Sequence, residues 1–475
     1  MIRWAVVIVW ALLALPGGAQ ENVTDTLDTL LEQGAQAVLD AVQTHTAETA
    51  LPDSAPPMIL DVRQAVTMAL ERNAKVLMAE EEQAVRQAQR GQATALRRPQ
   101  VSTRAGYTYI DKLNQEVAGS RFASILLQTD GFAPDKGQFT TQFSIEQVLY
   151  AGGQIQAAIR ASKFLEQSEA WKKQAVLDQL EYETRQAFYD CLLARALTAV
   201  AKESIGAFDR HLADVRQMLD VGMVSQFEVL RAETELGARQ ADLVSAQSME
   251  RIALVNLKRI LTLPQDTPLE LAGQLEWSPI QEDMDALIAS ALEQRPELRA
   301  LDDGIRAAEE NITVKQGQYK PKAAASAEWQ SISGGGRLLP DGWRFTVGAE
   351  WDLYAGGRRK HGVNEAKAQL RNLEYQRTDV ARLVEMDVRQ ACLRVEEAIA
   401  KIRQEKGTVA LGAEGLRLAQ LRFQEGVGTQ VETLNAELAL TQARTALVKA
   451  LRDYAVAIAA LDNALARGQA HREAL

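Results

Sequence analysis

The sequence lacks the features that mark several large classes of protein. Its 475 residues include only two cysteines, Cys191 and Cys392, which are too few for a disulfide framework. Both lie within helical patterns, so we expect small core residues rather than a bridge. Beyond residue 19 no run of about 18 apolar residues occurs, which excludes helical membrane spans. The net charge of −10 argues against nucleic acid as a partner.

The sequence also lacks a recognisable catalytic or metal-binding pattern. Its four histidines, His45, His211, His361 and His471, lie far apart along the chain. No phosphate-binding loop, nucleophile elbow or HExxH motif occurs. The sequence therefore predicts neither an enzymatic activity nor a cofactor.

Proline is absent from two long stretches, between Pro134 and Pro264 and after Pro340. In both stretches apolar residues recur at steps of three and four, which is the period of an α-helix. Each stretch accommodates a helix of about 65 residues, which would span roughly 100 Å at 1.5 Å per residue. A helix of this length requires coiled-coil-like packing against neighbours.

Each predicted long helix ends at a glycine turn, at Gly222 and at Gly426. A shorter return helix follows each turn, at about 226–262 and 430–466. Glycine suits these turns because it adopts the positive φ needed where antiparallel helices reverse direction.

The first 19 residues have the parts of a secretory signal peptide. Arg3 precedes an apolar run from Trp4 to Leu15, and small residues follow as far as Ala19. Residues 20–57 are predicted to form an accessory segment and a linker. The chain is thus predicted to be exported, either as a soluble protein or as one that enters a membrane as β-strands.

The most informative feature that is present is an internal repeat. Leu149–Gly153 recur as Leu353–Gly357, and residues 221–230 match 425–434 at the same offset of 204. A constant offset over this distance indicates one structural unit written twice. The predicted segments are repeat one (58–264), a linker (265–283), repeat two (284–467) and a C-terminal tail (468–475).

Alternation with a period of two predicts one β-hairpin in each repeat. The first lies at about 100–150 with a loop near 111–137, and the second at about 322–354 with a loop near 332–342. In the second hairpin the strand Trp343–Leu353 would place Trp343, Phe345 and Val347 on one face. The opposite face would carry Arg344, Thr346 and Glu350.

Aromatic residues make up only 5% of the chain, so their concentration in the predicted strands favours a membrane barrel with aromatic girdles. Four strands from one chain cannot close such a barrel, and open strand edges cannot face lipid. Two chains would give eight strands and a filled lumen, whereas three would give twelve strands and an open lumen. The strand count therefore predicts a homotrimer.

With its two repeats, its Tyr-Ala-Gly-Gly motifs at the strand-to-helix junctions and its glycine-centred turns, the chain resembles the TolC family over about residues 58–467. The resemblance implies a mainly α fold with β-structure: a trimeric 12-stranded membrane β-barrel, four strands per chain, continued by a long periplasmic α-helical barrel. It further implies an exit duct in the outer membrane of a Gram-negative bacterium. Such a duct would passively conduct substrates from an inner-membrane pump (proton-driven or ABC) and a periplasmic adaptor, in efflux or type I secretion.

The resemblance also assigns roles to residues of this sequence. The adaptor contact at the periplasmic turns would involve Val221, Gly222, Met223, Val224, Ser225, Gly426, Val427, Gly428 and Thr429. The strand–helix junctions would be formed by Tyr150, Gly152, Gly153, Tyr354, Gly356 and Gly357.

The resemblance places a constriction near the second turn, at Glu432 and Asn435. The family closes this end with a tyrosine and an arginine latched to an acid, but here those positions are Phe423 and Gly428, with Glu228 as the acid. This departure argues against an ionic latch of that form. Three copies of Glu432 would form a ring of carboxylates that favours cations; the alternative is an ordinary acidic residue stabilised by the helix dipole.

A periplasmic coiled-coil adaptor or scaffold protein is the alternative interpretation of the long helices. Such a protein would not need the strand Trp343–Leu353 with its membrane-like faces. Within the duct interpretation, the sequence does not separate small-molecule efflux from protein secretion.

Overall fold

The computed structural model describes residues 58–109, 137–278, 283–334, 337–338 and 342–468. The predicted signal peptide (1–19), the accessory segment (20–57) and nearly all of the predicted loop 111–137 and tail 468–475 lie outside these residues.

The described residues divide into two units, one with residues 58–59 and 266–270 and the other with the rest. In the first unit, Met58 donates its backbone N–H to the carbonyl oxygen of Pro268 at 2.9 Å. In the second unit, Ala272 donates its N–H to the carbonyl oxygen of Leu60 at 2.8 Å. The short strands β1 (Met58–Leu60) and β4 (Leu269–Leu271) pair with each other.

Helices dominate the described residues and occur twice in the same order. The helices in question are α1 (Val62–Arg72), α2 (Ala74–Ala95), α3 (Gln154–Asp220), α4 (Gln226–Ile260), α5 (Met284–Gln294), α6 (Pro296–Gly317), α7 (Arg358–Gln424) and α8 (Gln430–Ala464). The lengths of 11, 22, 67 and 35 residues run through α1–α4 and again through α5–α8. A helix of 67 residues is about 100 Å long.

Between the second and third helix of each set lies a pair of antiparallel strands. These are β2 (Gln100–Tyr109) with β3 (Gly137–Ala151), and β5 (Lys322–Gly334) with β7 (Gly342–Glu350). β3 also pairs antiparallel with β5, which joins both pairs into one sheet, and the short strand β6 (Arg337–Leu338) pairs with β5. The four long strands therefore follow the order β2-β3-β5-β7.

One face of this sheet is apolar and aromatic. Phe143, Trp329 and Trp343 lie in one row across β3, β5 and β7, and Trp343 stacks on Phe345 with ring centroids 6.1 Å apart. Neighbouring rows are polar, because successive residues of a strand point to opposite faces. One such row contains Ser144, Glu328 and Arg344.

The structure corrects the predicted strands in two places. A bulge in β3 leaves Leu149 out of register, so that Tyr150 pairs with Ala323 and takes the apolar face predicted for Leu149. β7 ends at Glu350 and does not reach Leu353. Directly after β7, the indole N–H of Trp351 donates to the carbonyl oxygen of Tyr319 (2.9 Å), just beyond the end of α6.

The long helices are held by narrow apolar seams of small side chains. In α7 the buried residues recur at steps of four and three: Val384, Val388, Ala391, Val395, Ala398 and Ile402. They pack with α5 and α8 residues such as Ile288, Tyr454 and Leu461. Full burial of one aliphatic side chain of this kind stabilises the fold by about 1.5–3 kcal/mol.

Packing also crosses from one repeat to the other. The first long helix, α3, contacts α6 and α8 of repeat two as well as its own return helix α4. Arg160 of α3 forms a bidentate ion pair with Glu310 of α6, with both N···O distances at 2.7 Å. Arg452 of α8 bonds Asp190 of α3 through its Nε at 2.7 Å. Neither repeat completes its core alone.

None of the described helices is both long and apolar enough to cross a membrane. Cys191 and Cys392 are buried thiols on α3 and α7. Burial raises the pKa of the Cys191 thiol to about 12. The prediction of small core residues at both positions is confirmed.

Candidate functional site

Two turns join the long helices to their return helices. We call residues 221–225, between α3 and α4, the first tip, and residues 425–429, between α7 and α8, the second tip. Gly222 and Gly426 have φ of +78° and +72°. Residues other than glycine are disfavoured in this left-handed region by roughly 1–2 kcal/mol.

In both tips, the N–H of the glycine and that of the next residue bond back to the last turn of the long helix, and in the second tip the N–H of Gly428 also bonds to the carbonyl oxygen of Arg422, at 2.9 Å. In the first tip the bonds run from Gly222 to Leu219 and from Met223 to Met218, both at 2.8 Å. In the second they run from Gly426 to Phe423 and from Val427 to Arg422, both at 3.0 Å. This pair of bonds is the Schellman motif, which satisfies carbonyls that the helix end would otherwise leave free.

The tips differ at the start of their return helices. The hydroxyl of Thr429 accepts a hydrogen bond from the N–H of Glu432 at 3.3 Å, whereas Ser225 makes no such side-chain cap. Each return helix carries an acid in its first turn, Glu228 or Glu432. A negative charge there is favourable next to the positive end of the helix dipole.

Both tips present apolar side chains to solvent. Val221 and Val427 are each 71% exposed, and Met223 is 62% exposed. Phe227 and Leu230, in the first turns of α4, are exposed as well. Adjacent exposed apolar groups of this kind are typical of protein-binding surfaces.

A small core beneath the first tip includes Phe423 of α7. Phe423 is 7% exposed and packs with Leu212, Val215, Val229 and Ala232, with Val224 at the edge. Its ring centroid lies 5.5 Å from that of His211. Phe423 is buried within one chain, where it holds α7 against α3 and α4. Its assignment to the aperture stays a prediction.

Gln430 connects the two helical hairpins, α3–α4 and α7–α8. It was not among the predicted site residues. It is 4% exposed, and its Nε2 donates to the backbone carbonyl of Glu228 at 3.0 Å. The sequence carried a signal for it, because Gln430 matches Gln226 at the repeat offset.

Apart from Phe423 on α7, the predicted aperture residues Glu228, Glu432 and Asn435 lie in the first two turns of the return helices. Glu432 is exposed, and its carboxylate lies 3.7 Å from the guanidinium of Arg422 across the second tip. Asn435 is exposed one turn further on. Glu228 is half-buried, and its Oε2 has no hydrogen-bond partner among the described residues. A latch between Glu228 and Gly428 has no basic side chain to use, as the sequence indicated.

Two titratable groups are buried near the tips. Burial lowers the pKa of the His211 imidazole, although the nearby Asp214 opposes the shift. Burial also raises the pKa of Glu437, against the attraction of Arg210 and Arg444. Among the described residues, the Glu437 side chain accepts one hydrogen bond, from Gln420 Nε2 at 3.3 Å.

The strand–helix junctions repeat one backbone geometry. Gly152 and Gly153 have φ of +63° and +87°, and Gly356 and Gly357 have φ of +57° and +82°. The preceding tyrosines are exposed, Tyr150 by 46% and Tyr354 by 88%. These glycines let the chain turn sharply from a strand into a 67-residue helix.

The surroundings of the junction glycines differ. A Cβ added to Gly152 would lie 2.3 Å from the carbonyl oxygen of Gly317 at the end of α6, whereas one added to Gly356 would meet nothing within 4 Å. The sequence did not indicate the close approach of Gly152 and Gly317. Among the described residues, no three His, Cys, Asp or Glu side chains are grouped so as to hold a metal ion.

A protein-family model described as outer membrane efflux protein matches residues 65–262 and 287–467. The chain is 27% identical over 342 residues to the outer membrane efflux protein BepC of Brucella suis, covering 69% of this chain and 72% of BepC. It is 22% identical over 352 residues to the alkaline protease secretion protein AprF of Pseudomonas aeruginosa, covering 69% of each chain.

Solved structures of outer-membrane proteins share the fold. The outer membrane protein VceC of Vibrio cholerae aligns with a TM-score of 0.72 at 17% identity, covering 85% of this chain and 96% of VceC. The CmeC outer membrane channel of Campylobacter jejuni aligns with a TM-score of 0.74 at 16% identity, covering 86% of each chain.

Proposed function

Because the chain belongs to the outer membrane efflux protein family, we propose that it is a homotrimeric exit duct that passively conducts substrates handed over by an inner-membrane pump and a periplasmic adaptor. The protein is an outer-membrane protein that extends into the periplasm. The observation that carries the proposal is the sheet, whose apolar face is exposed in the single chain. Phe345 and Val347 of β7 are each 77% exposed.

The edges of the sheet support assembly from several copies. β2 and β7 are the outer strands of the four-stranded path, and each has a row of backbone N–H and C=O groups on its free side. Open edges of this kind cannot face lipid, so they pair with the edges of other copies. Three copies provide twelve strands, which close around an open lumen.

The helices support the same assembly. In repeat two the return helix α8 packs against α3, whereas in repeat one the outer face of α4 is exposed at Val244, Met249, Ile252 and Val255. In the repeat, the return helix α8 corresponds to α4, and the long helix α3 corresponds to α7. We therefore expect α4 of one copy to cover α7 of the next.

Trimeric assembly is tested by the mass of the purified protein in detergent, corrected for bound detergent. We expect about three times the mass of the mature chain. A stable monomer that conducts ions in a planar bilayer would contradict the proposal.

The orientation of the sheet is tested by cysteine labelling. Single cysteines at 344, 346 and 350 should react in vesicles with a water-soluble maleimide, since these positions share the polar face. Cysteines at 345 and 347 should be protected by lipid. The reverse pattern would place the lumen on the opposite face.

The tips are the proposed contact with the adaptor, because they combine exposed apolar side chains with a rigid turn. Gly222→Val or Gly426→Val should abolish export while trimers still assemble, since both glycines have positive φ. Gly304→Val is the matched control, because Gly304 lies within α6, away from both tips, and an added Cβ would meet nothing within 4 Å. Adaptor cross-links that survive both tip substitutions and map elsewhere would contradict the assignment.

The aperture is proposed at Glu432 and Asn435, with Glu228 nearby. Three copies of Glu432 around the axis would favour cations. Glu432→Gln should reduce cation preference and block by multivalent cations in planar bilayers. Unchanged cation preference and unchanged block would show that Glu432 is only a charge at the helix end, paired with Arg422.

The related proteins include both efflux and secretion proteins by name, so the proposed duct serves export without a defined substrate class. The alternative of a periplasmic adaptor or scaffold is not favoured, because it gives no role to the apolar face of the sheet. Channels of this family are transport ducts, and we propose no enzymatic activity.

A further inference from the structure

His211 of α3 is a buried histidine at the boundary between the two helical hairpins. It is 6% exposed, and its ring centroid lies 5.5 Å from that of Phe423 of α7. Phe423 belongs to the small core beneath the first tip, together with Leu212 and Val215 of α3 and Val229 of α4. His211 therefore lies where the end of α7 packs against the first hairpin.

The imidazole of His211 has a buried polar atom that nothing satisfies. Its Nε2 has no hydrogen-bond partner among the described residues. Protonation places an N–H on both ring nitrogens and a positive charge on the ring. A charge that is buried with an unpaired N–H is costly, and burial accordingly lowers the pKa of His211. The packed arrangement therefore favours the neutral ring.

The charges around this core do not compensate for a protonated ring. Asp214, one turn further along α3, favours the protonated form of His211, but its side chain is exposed. Burial outweighs this attraction, since the pKa of His211 is lowered. The other charged groups on the surrounding helices near the core are Arg210 and Arg216 on α3, Glu228, Arg231 and Glu233 on α4, Arg422 on α7, and Glu432 and Glu437 on α8.

Assembly of several copies leaves this environment as it is. α3 packs against α4 and α8 of its own chain, whereas the contact expected between copies joins α4 to α7. The Nε2 of His211 is already buried within one chain, so a neighbouring copy cannot supply its missing partner. The repeat counterparts of His211 and Phe423 are Gly415 and Leu219, and neither of these can be protonated.

We propose that His211 is a pH-sensitive contact between the two helical hairpins, and that its protonation separates the end of α7 from α3 and opens the periplasmic end of the duct. Hydration of the protonated ring requires Phe423 to move away from it. Because α7 ends at Gln424, this movement displaces the second tip. The inference rests on the proposed function for the duct itself, and it gives the periplasmic end a closing contact in place of an ionic latch.

The test is the open fraction of single channels of the full-length protein in planar bilayers, while the pH on the periplasmic side is lowered from 8 to 5. Histidine titrates near pH 6.5 in water. The closed state binds fewer protons at His211 than the open state, so it loses stability as pH falls below about 6.5. The open fraction of the wild type should therefore rise in acid, by at most about tenfold per pH unit for each His211.

His211→Phe keeps an aromatic ring in the core but removes the titration. Its open fraction should stay at the value that the wild type has at neutral pH. His361→Gln is the matched control, because it removes a histidine that is exposed at the start of α7, and it should respond to acid as the wild type does. A rise that persists in His211→Phe, or that is lost equally in both variants, would overturn the inference.

Two further variants separate a titrating contact from a merely structural one. Asp214→Asn removes the charge that favours the protonated ring, so the rise in open fraction should shift to lower pH. Glu437→Gln should make the rise larger, because burial raises the pKa of Glu437 and its protonation in acid favours the closed arrangement. A rise at the same pH in the wild type and in Asp214→Asn would contradict titration of His211.

Hydrogen exchange separates this inference from the proposed function. In acid, the amides at the end of α7 should exchange faster than their intrinsic rates predict from the neutral-pH protection, in the wild type but not in His211→Phe. That result in a protein that forms no channel at any pH would support the inference and contradict the duct. Channels whose open fraction and exchange do not depend on His211 would support the duct and overturn the inference.

Discussion

Residues that match at the offset of 204 have the same local structure in the two repeats but different neighbours. Gly152 and Gly356 both follow a Tyr-Ala pair and both have positive φ. Yet Gly152 lies against Gly317, whereas Gly356 has open space in the single chain. Local sequence thus determines the turn, and the other repeat determines what packs on it.

Glu233 and Glu437, which also match at the offset of 204, differ in their neighbours in the same way. Glu233 on α4 is exposed and pairs with Arg216 at 2.7 Å. Its counterpart Glu437 on α8 is 4% exposed, because α8 packs against α3 while the outer face of α4 is uncovered. One repeat position is a surface ion pair in one half and a buried acid in the other.

The largest effect is expected for Gly152→Ala. The added Cβ meets the carbonyl oxygen of Gly317 in a residue with φ of +63°. Left-handed strain of roughly 1–2 kcal/mol and overpacking of roughly 1–3 kcal/mol should together lower stability by about 3 kcal/mol. The thermal midpoint in detergent measures this loss.

Gly356→Ala is the matched substitution for that experiment. It has the same backbone strain but no clash within one chain, so its loss in the isolated monomer should be about 1–2 kcal/mol. If both substitutions lower the midpoint equally, the contact between Gly152 and Gly317 does not contribute to stability.

Glu437→Gln is expected to raise stability at neutral pH, by less than Gly152→Ala lowers it. Burial raises the pKa of Glu437, so the native state binds a proton more readily than the unfolded chain. The wild type therefore loses stability as pH rises through the native pKa, and the Gln variant does not. Thermal midpoints from pH 4 to pH 8 should favour the variant at neutral pH, with the difference vanishing in acid.

Glu233→Gln provides the comparison for this pH series. In the single chain its exposed ion pair with Arg216 contributes roughly 0–1 kcal/mol, so the variant should be slightly less stable than the wild type near neutral pH when both are measured as unassembled chains. A stabilising effect of equal size at both positions would show that burial of Glu437 is not the cause.

The smallest effect separates the two tips. Thr429→Ala removes the hydroxyl that caps the N–H of Glu432 and should lower stability by about 1 kcal/mol. Ser225→Ala should change it by a few tenths at most, because Ser225 makes no side-chain cap. Equal losses in a denaturant titration would mean that both residues act as caps.

The family resemblance seen in the sequence is confirmed by the match to the outer membrane efflux protein model. Features coded by neighbouring residues were predictable: the helices begin directly after Gly153 and Gly357 and turn at Gly222 and Gly426. Features that depend on distant residues were not. The bulge at Leu149 depends on pairing with β5, and the burial of Phe423 depends on helices more than 190 residues earlier in the chain.

The packing of α3 against α8 has a consequence for the synthesis and folding of the chain. α3 ends at Asp220, but its partner α8 is complete only at Ala464. At about 5–20 residues per second, the second helix emerges roughly 10–50 s after the first. During that interval the face of α3 that carries Arg185 and Asp190 has no α8 to supply its partners Asp462 and Arg452. Chaperones that hold an unfinished, exported chain are therefore expected to bind this face of α3, and to be released only when the last helix arrives.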